Sequence, residues 1–448
     1  MTAEMTVGLY LDVTIFSDFP QPRKVKVETG VKNHQCIVRH SLQPQRPTTA
    51  DSSADSGENL IRSVRSTSYF VLISQEPARA LAMSDDEVDL ELLDLLRNHL
   101  QGKVAVGGEP ETGVLEGAEY VYDNGVDVAI DMRSTKMAAE TIYAQMQQTH
   151  YSTATWSEHE LHPQAKDDKT VAFIFTMDLL NFSFWSELPD DERFAVEYRG
   201  KQWTGYWSLV AALQRALDDD IPITDPHFWQ DEEECNLETL RHVFRSCTDE
   251  EMPMLRERLA CLKESGQVLY ERYDCSFANV ISDAGGCAAR LVNLLARDFP
   301  CFRDEHTFNG RSKPVRILKR AQILVADLWA CFQGESWGKF RDIDKITMFA
   351  DYRVPQILIS MGALYCCPTL SAAIKDKRLL ESGASWEVQL RACSIWCVEL
   401  IRREILRRHP GTRVNAILID FFLYDKMKEL EDQGLGVFSH HRTRSIWY

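Results

Sequence analysis

Helical periodicity dominates the pattern of hydrophobic and polar positions beyond about residue 113. Apolar residues recur there at spacings of three and four, which places them on one face of a helix. The pattern predicts helices over 134–147, 204–217, 237–245, 253–265, 286–295, 315–332, 355–364, 386–408 and 413–431. A short extended segment is expected at 126–130, and the apolar run 170–185 favours a strand. We therefore predict a mainly α fold, a single helical body of packed helix pairs with a minor β element.

The first 112 residues do not follow this pattern. Their middle is rich in Ser, Pro, Thr, Gln and Asp, a composition typical of disordered segments. Ser84 and Glu87 form a capping box that opens an amphipathic helix, predicted near 84–100. The expected domain organisation is an extension over 1–112, largely disordered apart from that helix, followed by a functional domain over 113–448.

Composition narrows the class of partner. The formal net charge is −17 at pH 7, whereas a protein that grips a nucleic acid usually presents a basic face. We therefore expect a small ligand and no stable nucleic-acid partner. No run of about 18 apolar residues is present, so no membrane span is predicted, and the N-terminus lacks the pattern of a secretory signal. The twelve cysteines include no C-x-x-C pair, which favours reduced thiols in a cytosolic protein over a zinc site.

One segment, KITMFADYRVPQ at 345–356, carries the strongest chemical signal. It places the carboxylate of Asp351 after the aromatic ring of Phe349 and before a helix that Pro355 can begin. The positive end of that helix dipole would keep the carboxylate ionised. A carboxylate beside a flat apolar ring could hold a flat base while positive charge develops on an attached sugar.

Further candidates lie on two predicted helices. Lys319 and Arg320 point away from the apolar face of their helix, where they could bind a phosphate or hold a carboxylate, although a solvated helix face is favoured. Asp420 stands in an almost wholly apolar run and shares a face with Tyr424. A ligand contact and a structural hydrogen bond are about equally expected for this aspartate.

For the remaining motifs, purely structural roles stay open beside functional ones. His159 and His162 lack the spacing of a metal pair, so His159 is either the wall of a pocket or a surface residue. The aromatics Tyr206 and Trp207 are expected in the core. The tail HHRTRSIWY at 440–448 could bring cations near a phosphate, but docking through its apolar residues is favoured.

Several blocks together resemble the queuosine salvage protein family, the queuosine 5′-phosphate N-glycosylase/hydrolases. The blocks are LNFSFWSE at 180–187, TGYWSL at 204–209, IPIT at 221–224, KRAQILVAD at 319–327, TMFADYR at 347–353, CSIWCVELI at 393–401 and the tail HRTR at 441–444. They occur in the family's order and cover about residue 115 to the last residue. Nothing about 1–112 follows from this resemblance.

The resemblance implies a fold, an activity and a set of site residues. The family is mainly helical with a likeness to helix-hairpin-helix DNA glycosylases, and it releases queuine from queuosine 5′-monophosphate for reuse in transfer RNA. By matching motifs, the catalytic residues would be Asp351 and Lys319, and the substrate-binding residues His159, Phe349, Ala350, Asp420, Phe421 and Asp425. In relatives a hydroxylated aromatic follows the first C-terminal acid. With Phe421 in its place, stacking is retained and a hydrogen bond is lost.

The expected function is therefore hydrolysis of the N-glycosidic bond of queuosine 5′-monophosphate. Asp351 would stabilise or attack the sugar cation, and the residues leave covalent and direct-water routes open. Two alternatives stay open as well, a queuine carrier without catalysis and a nucleic-acid glycosylase. We expect no cofactor, no metal, a monomer, and a cytoplasmic location with the nucleus as a second compartment.

Overall fold

Helices make up most of the described chain, which comprises residues 110–433 and 438–448 of a computed structural model. The helices are α1 (Val114–Asn124), α2 (Met132–Gln148), α3 (Ala154–Glu158), α4 (Asp168–Leu179), α5 (Tyr206–Asp218), α6 (Pro226–Gln230), α7 (Leu237–Val243), α8 (Leu255–Tyr273), α9 (Phe277–Asp283), α10 (Ala288–Asp298), α11 (Lys319–Cys331), α12 (Arg353–Ser360), α13 (Pro368–Lys375), α14 (Ser385–Arg408) and α15 (Ala416–Asp432). Short 3-10 turns occur at Pro300–Phe302, Ser336–Gly338 and Ile343–Lys345. The predicted mainly α class is confirmed, whereas the likeness to DNA glycosylases stays a prediction.

The β content is confined to three two-stranded antiparallel sheets in the described residues. The strands are β1 (Val128–Ile130), β2 (Ala195–Tyr198), β3 (Lys201–Thr204), β4 (Glu305–His306), β5 (Val315–Arg316) and β6 (Leu364–Cys366), paired β1 with β6, β2 with β3 and β4 with β5. Arg199 and Gly200 join β2 to β3 with φ of 53° and 73°. Positive φ at both turn residues matches the right-handed twist of a two-residue hairpin.

The helices that carry and support the candidate site pack against one another. α14 packs against α1, α2 and α15, and its central turns are buried on every side. α11 packs against α4 and α10, and α12 packs against α15 and α14. A continuous apolar core fills the spaces between these helices. All described residues belong to one structural unit.

The strand expected over 170–185 is wrong, because most of this run forms helix α4. Its apolar side chains are buried around nearly the whole circumference, so the run shows no helical amphipathicity. The Asp167 side chain accepts a hydrogen bond from the Thr170 backbone N–H at 2.9 Å and caps the helix start. The Asp167 cap was the sequence signal that could have identified a helix.

Two predicted helix starts were displaced. Helix α12 begins at Arg353, so Pro355 lies inside its first turn. The helix predicted over 315–332 divides into strand β5 and helix α11, separated by Leu318 with φ of 51°. Short elements such as α1, α3 and α6 were not predicted, because five to eleven residues carry too little periodicity.

The predicted helix near 84–100 and the disorder expected before residue 110 lie outside the described residues. The boundary near residue 112 stays a prediction. The last residues before it are held by the body: Thr112 is buried, and Glu111 forms an ion pair with Lys345 at 2.7 Å. Within 110–433 and 438–448, no helix has the length and apolar content needed to cross a bilayer.

Candidate active site

A cavity of about 390 Å³ opens where α11, α12, α15 and the β2–β3 hairpin meet. Its volume falls in the range of roughly 300–1,000 Å³ that is usual for small-molecule sites. The predicted site residues on its wall are His159, Lys319, Phe349, Asp351, Asp420, Phe421 and Asp425. Residues far apart in sequence thus converge on one volume, and their chemical roles remain predictions.

Asp351 is fixed by the first turn of α12. Its Oδ1 accepts hydrogen bonds from the backbone N–H groups of Arg353 at 2.7 Å and Val354 at 3.0 Å. Burial raises the pKa of this carboxyl above its ordinary value, while Lys319 and the two N–H groups oppose the rise. The helix start therefore acts as the sequence pattern implied, but the net pKa shift is upward because desolvation is the larger effect.

Lys319 and Arg320 do not lie on a solvated helix face, so the favoured interpretation of this pair is wrong. Lys319 is 6% exposed and Arg320 1% exposed. The Lys319 ammonium donates a long hydrogen bond of 3.5 Å to the Asn181 carbonyl. Burial lowers its pKa, and the charges of Asp351, Asp178 and Asp420 oppose that shift. Arg320 donates instead to the carbonyls of Leu179 and Cys301, away from the cavity.

The base-sized part of the cavity combines aromatic faces with acids. The rings of Phe349 and Phe421 lie 6.0 Å apart at 47°. Asp420 is buried, and its Oδ1 accepts a hydrogen bond from the Phe349 N–H at 2.9 Å. Burial raises the Asp420 pKa well above its ordinary value, and the nearby charge of Asp351 adds to the rise. Asp425 is exposed at the rim and accepts from the Tyr151 hydroxyl at 2.5 Å.

The structural interpretation of Asp420 is confirmed, whereas its role as a ligand contact stays a prediction. The side chain is bonded to backbone and also lines the cavity.

His159 lies in the wall and stacks on Trp207, with ring centroids 3.3 Å apart and planes 12° apart. Its Nδ1 accepts the Leu161 N–H at 3.3 Å, which assigns the proton of the neutral ring to Nε2. Burial lowers the pKa of His159 and favours that neutral form. Both ring nitrogens of His162 are engaged, with the Trp156 carbonyl at 2.6 Å and the Tyr206 hydroxyl at 2.8 Å. Across the described residues, no three His, Cys, Asp or Glu side chains are grouped to hold a metal ion.

A buried acid pair beside Lys319 was missed by the sequence analysis. Asp327 lines the cavity at 3% exposure, and Asp178 lies beside it fully buried. Burial and mutual repulsion raise the Asp327 pKa well above its ordinary value, and burial raises that of Asp178 to about 7. Lys319, Ile323 and Asp327 lie at i, i+4 and i+8 on α11. This spacing was the available signal, since it places all three on one helix face.

Ala350 does not line the cavity, in contrast to its predicted neighbours. Its carbonyl accepts a hydrogen bond from Arg391 Nε at 2.8 Å. Arg391 is fully buried on α14 and forms ion pairs with Asp304 at 2.6 Å and Glu387 at 3.2 Å. Asp304 in turn accepts the Lys319 N–H at 3.1 Å. A single buried arginine thus connects the Asp351 segment to the start of α11.

Residues 161–448 match the family model described as queuosine salvage protein. A Schizosaccharomyces pombe protein named queuosine 5′-phosphate N-glycosylase/hydrolase is 43% identical over 75% of this chain and 99% of its own length. Proteins of the same name are 41% identical in Mus musculus, over 76% of this chain and 99% of the relative, and 36% identical in Sphaerobacter thermophilus, over 75% and 98%. The chain belongs to the queuosine salvage protein family.

Proposed function

We propose that this protein hydrolyses the N-glycosidic bond of queuosine 5′-monophosphate and releases queuine for salvage. The observation that carries the proposal is the placement of Asp351 beside Phe349 on the wall of one cavity, with the carboxylate fixed by two backbone N–H groups. The relatives named for this activity support it, since they match this chain over nearly their full length.

In the proposed reaction the base leaves C1′ of the ribose with its bonding electron pair. Positive charge then develops on the sugar, and the Asp351 carboxylate stabilises it. A unit charge pair at about 4 Å with an effective dielectric near 20 is worth roughly 4 kcal/mol before desolvation, or about a thousandfold in rate. Water supplies the new C1′ oxygen, and its proton goes to the departing base.

Lys319 would act on Asp351 through its charge. Its ammonium lowers the Asp351 pKa and offsets part of the effect of burial. Among the described residues, the Lys319 ammonium donates one hydrogen bond, the long one to the Asn181 carbonyl, so its charge remains available to the carboxylates around it. We therefore assign Lys319 to keeping Asp351 ionised.

The rest of the cavity would bind the base. Phe349 and Phe421 offer faces for stacking, and Asp420 and Asp425 offer acceptors for the N–H groups and the cationic amine of queuine. His159 would donate from Nε2. Ala350 would contribute through its backbone, because its carbonyl fixes the segment to Arg391.

Base release from queuosine 5′-monophosphate tests the proposal, with the product identified by mass. We expect stoichiometric queuine and ribose 5-phosphate. Tight queuine binding without turnover would instead indicate the carrier. Release only from a queuosine-containing oligonucleotide would indicate a nucleic-acid glycosylase.

We further propose that the enzyme acts as a monomer in the cytoplasm, with the nucleus as a second site, and takes a free nucleotide. The eleven described cysteines are free thiols, which fits a reducing compartment. Light scattering on the eluted protein checks the first point, because a monomer has a mass of 51.4 kDa. Fluorescence of a tagged full-length chain in cells checks the second.

A further inference from the structure

A second cavity, of about 470 Å³, adjoins the candidate active site and is rich in positive charge. Its charged lining consists of the cations Arg193, Arg353, Lys377, Lys428 and Arg442 and the carboxylates Asp190 and Glu431. This excess of cations contrasts with the net charge of −17 on the whole chain. A local positive cavity in an acidic protein is a feature that selects anions.

Only some of these cations are neutralised by the carboxylates. Arg353 pairs with Glu431, Lys428 lies 3.5 Å from the same carboxylate, and Arg193 lies 3.1 Å from Asp190. Lys377 and Arg442 have no carboxylate within 4 Å among the described residues. The Arg442 guanidinium lies over the Trp185 ring at 5.3 Å, which leaves its N–H donors available.

The backbone brings Lys377 and Arg442 to the same wall. Lys377 lies two residues after the end of α13 with a left-handed φ of 55°, and its N–H donates to the Ile374 carbonyl at 3.0 Å. The next turn pairs with the C-terminal tail, since the Leu380 N–H donates to the Arg442 carbonyl at 2.8 Å. Both cations are therefore carried on backbone that hydrogen bonds hold in place.

The positive charge of these cations affects the pKa of His440, which also lines the cavity. Burial and, to a smaller extent, the charges of Arg353, Arg442 and Lys377 together lower the pKa of His440 to about 4. Its Nδ1–H donates to the His441 carbonyl at 2.8 Å. The ring is therefore neutral, and the positive charge of the cavity comes from the lysine and arginine side chains.

The two cavities share part of one wall. Phe184, Thr204, Gly205, Tyr352, Arg353 and Lys428 line both. The Arg353 N–H donates to Asp351 at 2.7 Å, so the proposed reacting carboxylate lies at this shared wall. In a nucleoside 5′-monophosphate, the glycosidic carbon and the phosphate are separated by one ribose ring and its 5′ methylene.

From this geometry we propose that the second cavity binds the 5′-phosphate of the substrate, with Lys377 and Arg442 as its principal ligands. The inference rests on the proposed function and assigns the part of the site that reads the phosphate. Arg320 cannot serve this role, because its guanidinium is buried against the Leu179 and Cys301 carbonyls. Lys377 and Arg442 make the enzyme selective for the nucleotide over the nucleoside.

The test compares K377Q/R442Q with the matched control K375Q/R413Q, which removes the same charge from exposed positions outside both cavities. Charge-assisted hydrogen bonds predict that kcat/KM for queuosine 5′-monophosphate falls about 10- to 100-fold in the first variant only. Calorimetry should show weaker binding of ribose 5-phosphate and unchanged binding of queuine. If the double variant folds poorly, the single variant Lys377→Gln replaces it, because this position is exposed. It is expected to weaken ribose 5-phosphate binding as well.

Equal kcat/KM and equal ribose 5-phosphate affinity in the variant and its control would overturn the inference. So would loss of single-stranded RNA binding in K377Q/R442Q with ribose 5-phosphate binding intact, since the cavity would then serve a polynucleotide. The proposed function fails separately, through absence of base release by the unmodified protein. In that case the binding of ribose 5-phosphate still shows whether the second cavity binds an anion.

Discussion

At the scale of single residues, Asp351 is subject to opposing influences. Burial favours its neutral form, whereas Lys319 and two backbone N–H groups favour the ionised form. A carboxylate held between these influences responds to small changes in its surroundings.

Asp351→Asn is expected to lower the rate of base release about a thousandfold, because the amide carries no charge to stabilise the sugar cation. The Asn oxygen still accepts the helix N–H groups, so the fold and queuine binding should persist. Single-turnover rates and queuine calorimetry measure both effects. Asp123→Asn, at an exposed position on α1, is the matched control. Near-normal turnover by the Asp351 variant would remove this residue from catalysis.

Lys319→Met is expected to move the acid limb of kcat/KM to higher pH. Lys319 lowers the Asp351 pKa, so its removal raises that pKa. Activity that requires the ionised carboxylate is then lost at a higher pH as the solution is acidified. Profiles of kcat/KM against pH provide the measurement, with Lys169→Met on the exposed start of α4 as the control. An acid limb at the same pH in both variants would contradict the role given to Lys319.

At the scale of elements, Arg391 joins α14 to the Asp351 segment and, through Asp304, to α11. The pKa of Asp304 lies below its ordinary value because Arg391 and His306 outweigh its desolvation. A carboxyl with a depressed folded pKa stabilises the fold above its unfolded pKa and loses that contribution as pH falls through the folded pKa. The pairing therefore contributes at neutral pH.

Arg391→Met is expected to reduce the free energy of unfolding by about 3–5 kcal/mol, because it removes the buried cation that pairs with both Asp304 and Glu387 and leaves Asp304 with His306 alone as an ionic partner. Urea denaturation measures the loss. Arg403→Met on the same helix is the control: Arg403 is 53% exposed in its pair with Glu399, and such pairs contribute below about 1 kcal/mol. Equal losses of unfolding free energy in the two variants would show that the buried ion pairs of Arg391 stabilise the fold no more than the exposed pair of Arg403.

The elements were predicted to different degrees. Most long helices were recognised within a few residues, although α8, predicted to end at 265, continues to Tyr273. Helix α4 was misassigned because burial around its circumference erases the helical period. The boundary at Leu318 depends on a left-handed residue, which sequence periodicity does not report.

At the scale of the whole molecule, the net charge of the chain is negative, whereas the second cavity is lined mainly by cations. The chain carries a net charge of −17, so long-range electrostatics oppose a polyanion while the cavity accepts one small anion. We therefore expect a nucleotide to bind and a nucleic-acid backbone not to bind.

The protein is accordingly expected to show no saturable binding to labelled single-stranded RNA at about 50 mM salt, where phosphate contacts are strongest. Fluorescence anisotropy across a salt series measures this, with ribose 5-phosphate calorimetry on the same sample to show that it is active. Saturable binding that weakens steeply as salt rises would favour the nucleic-acid glycosylase.

The sequence alone determined the helical class, the acidic character and the residue types that could carry the chemistry. Those properties follow from local periodicity and composition. Only the tertiary structure decided that Lys319 is buried and that Asp178 and Asp327 form an acid pair beside it. It also decided that Lys377 and Arg442 meet in a cavity beside Asp351. Burial and the proximity of charges depend on packing between distant segments, and no local pattern in the chain encodes them.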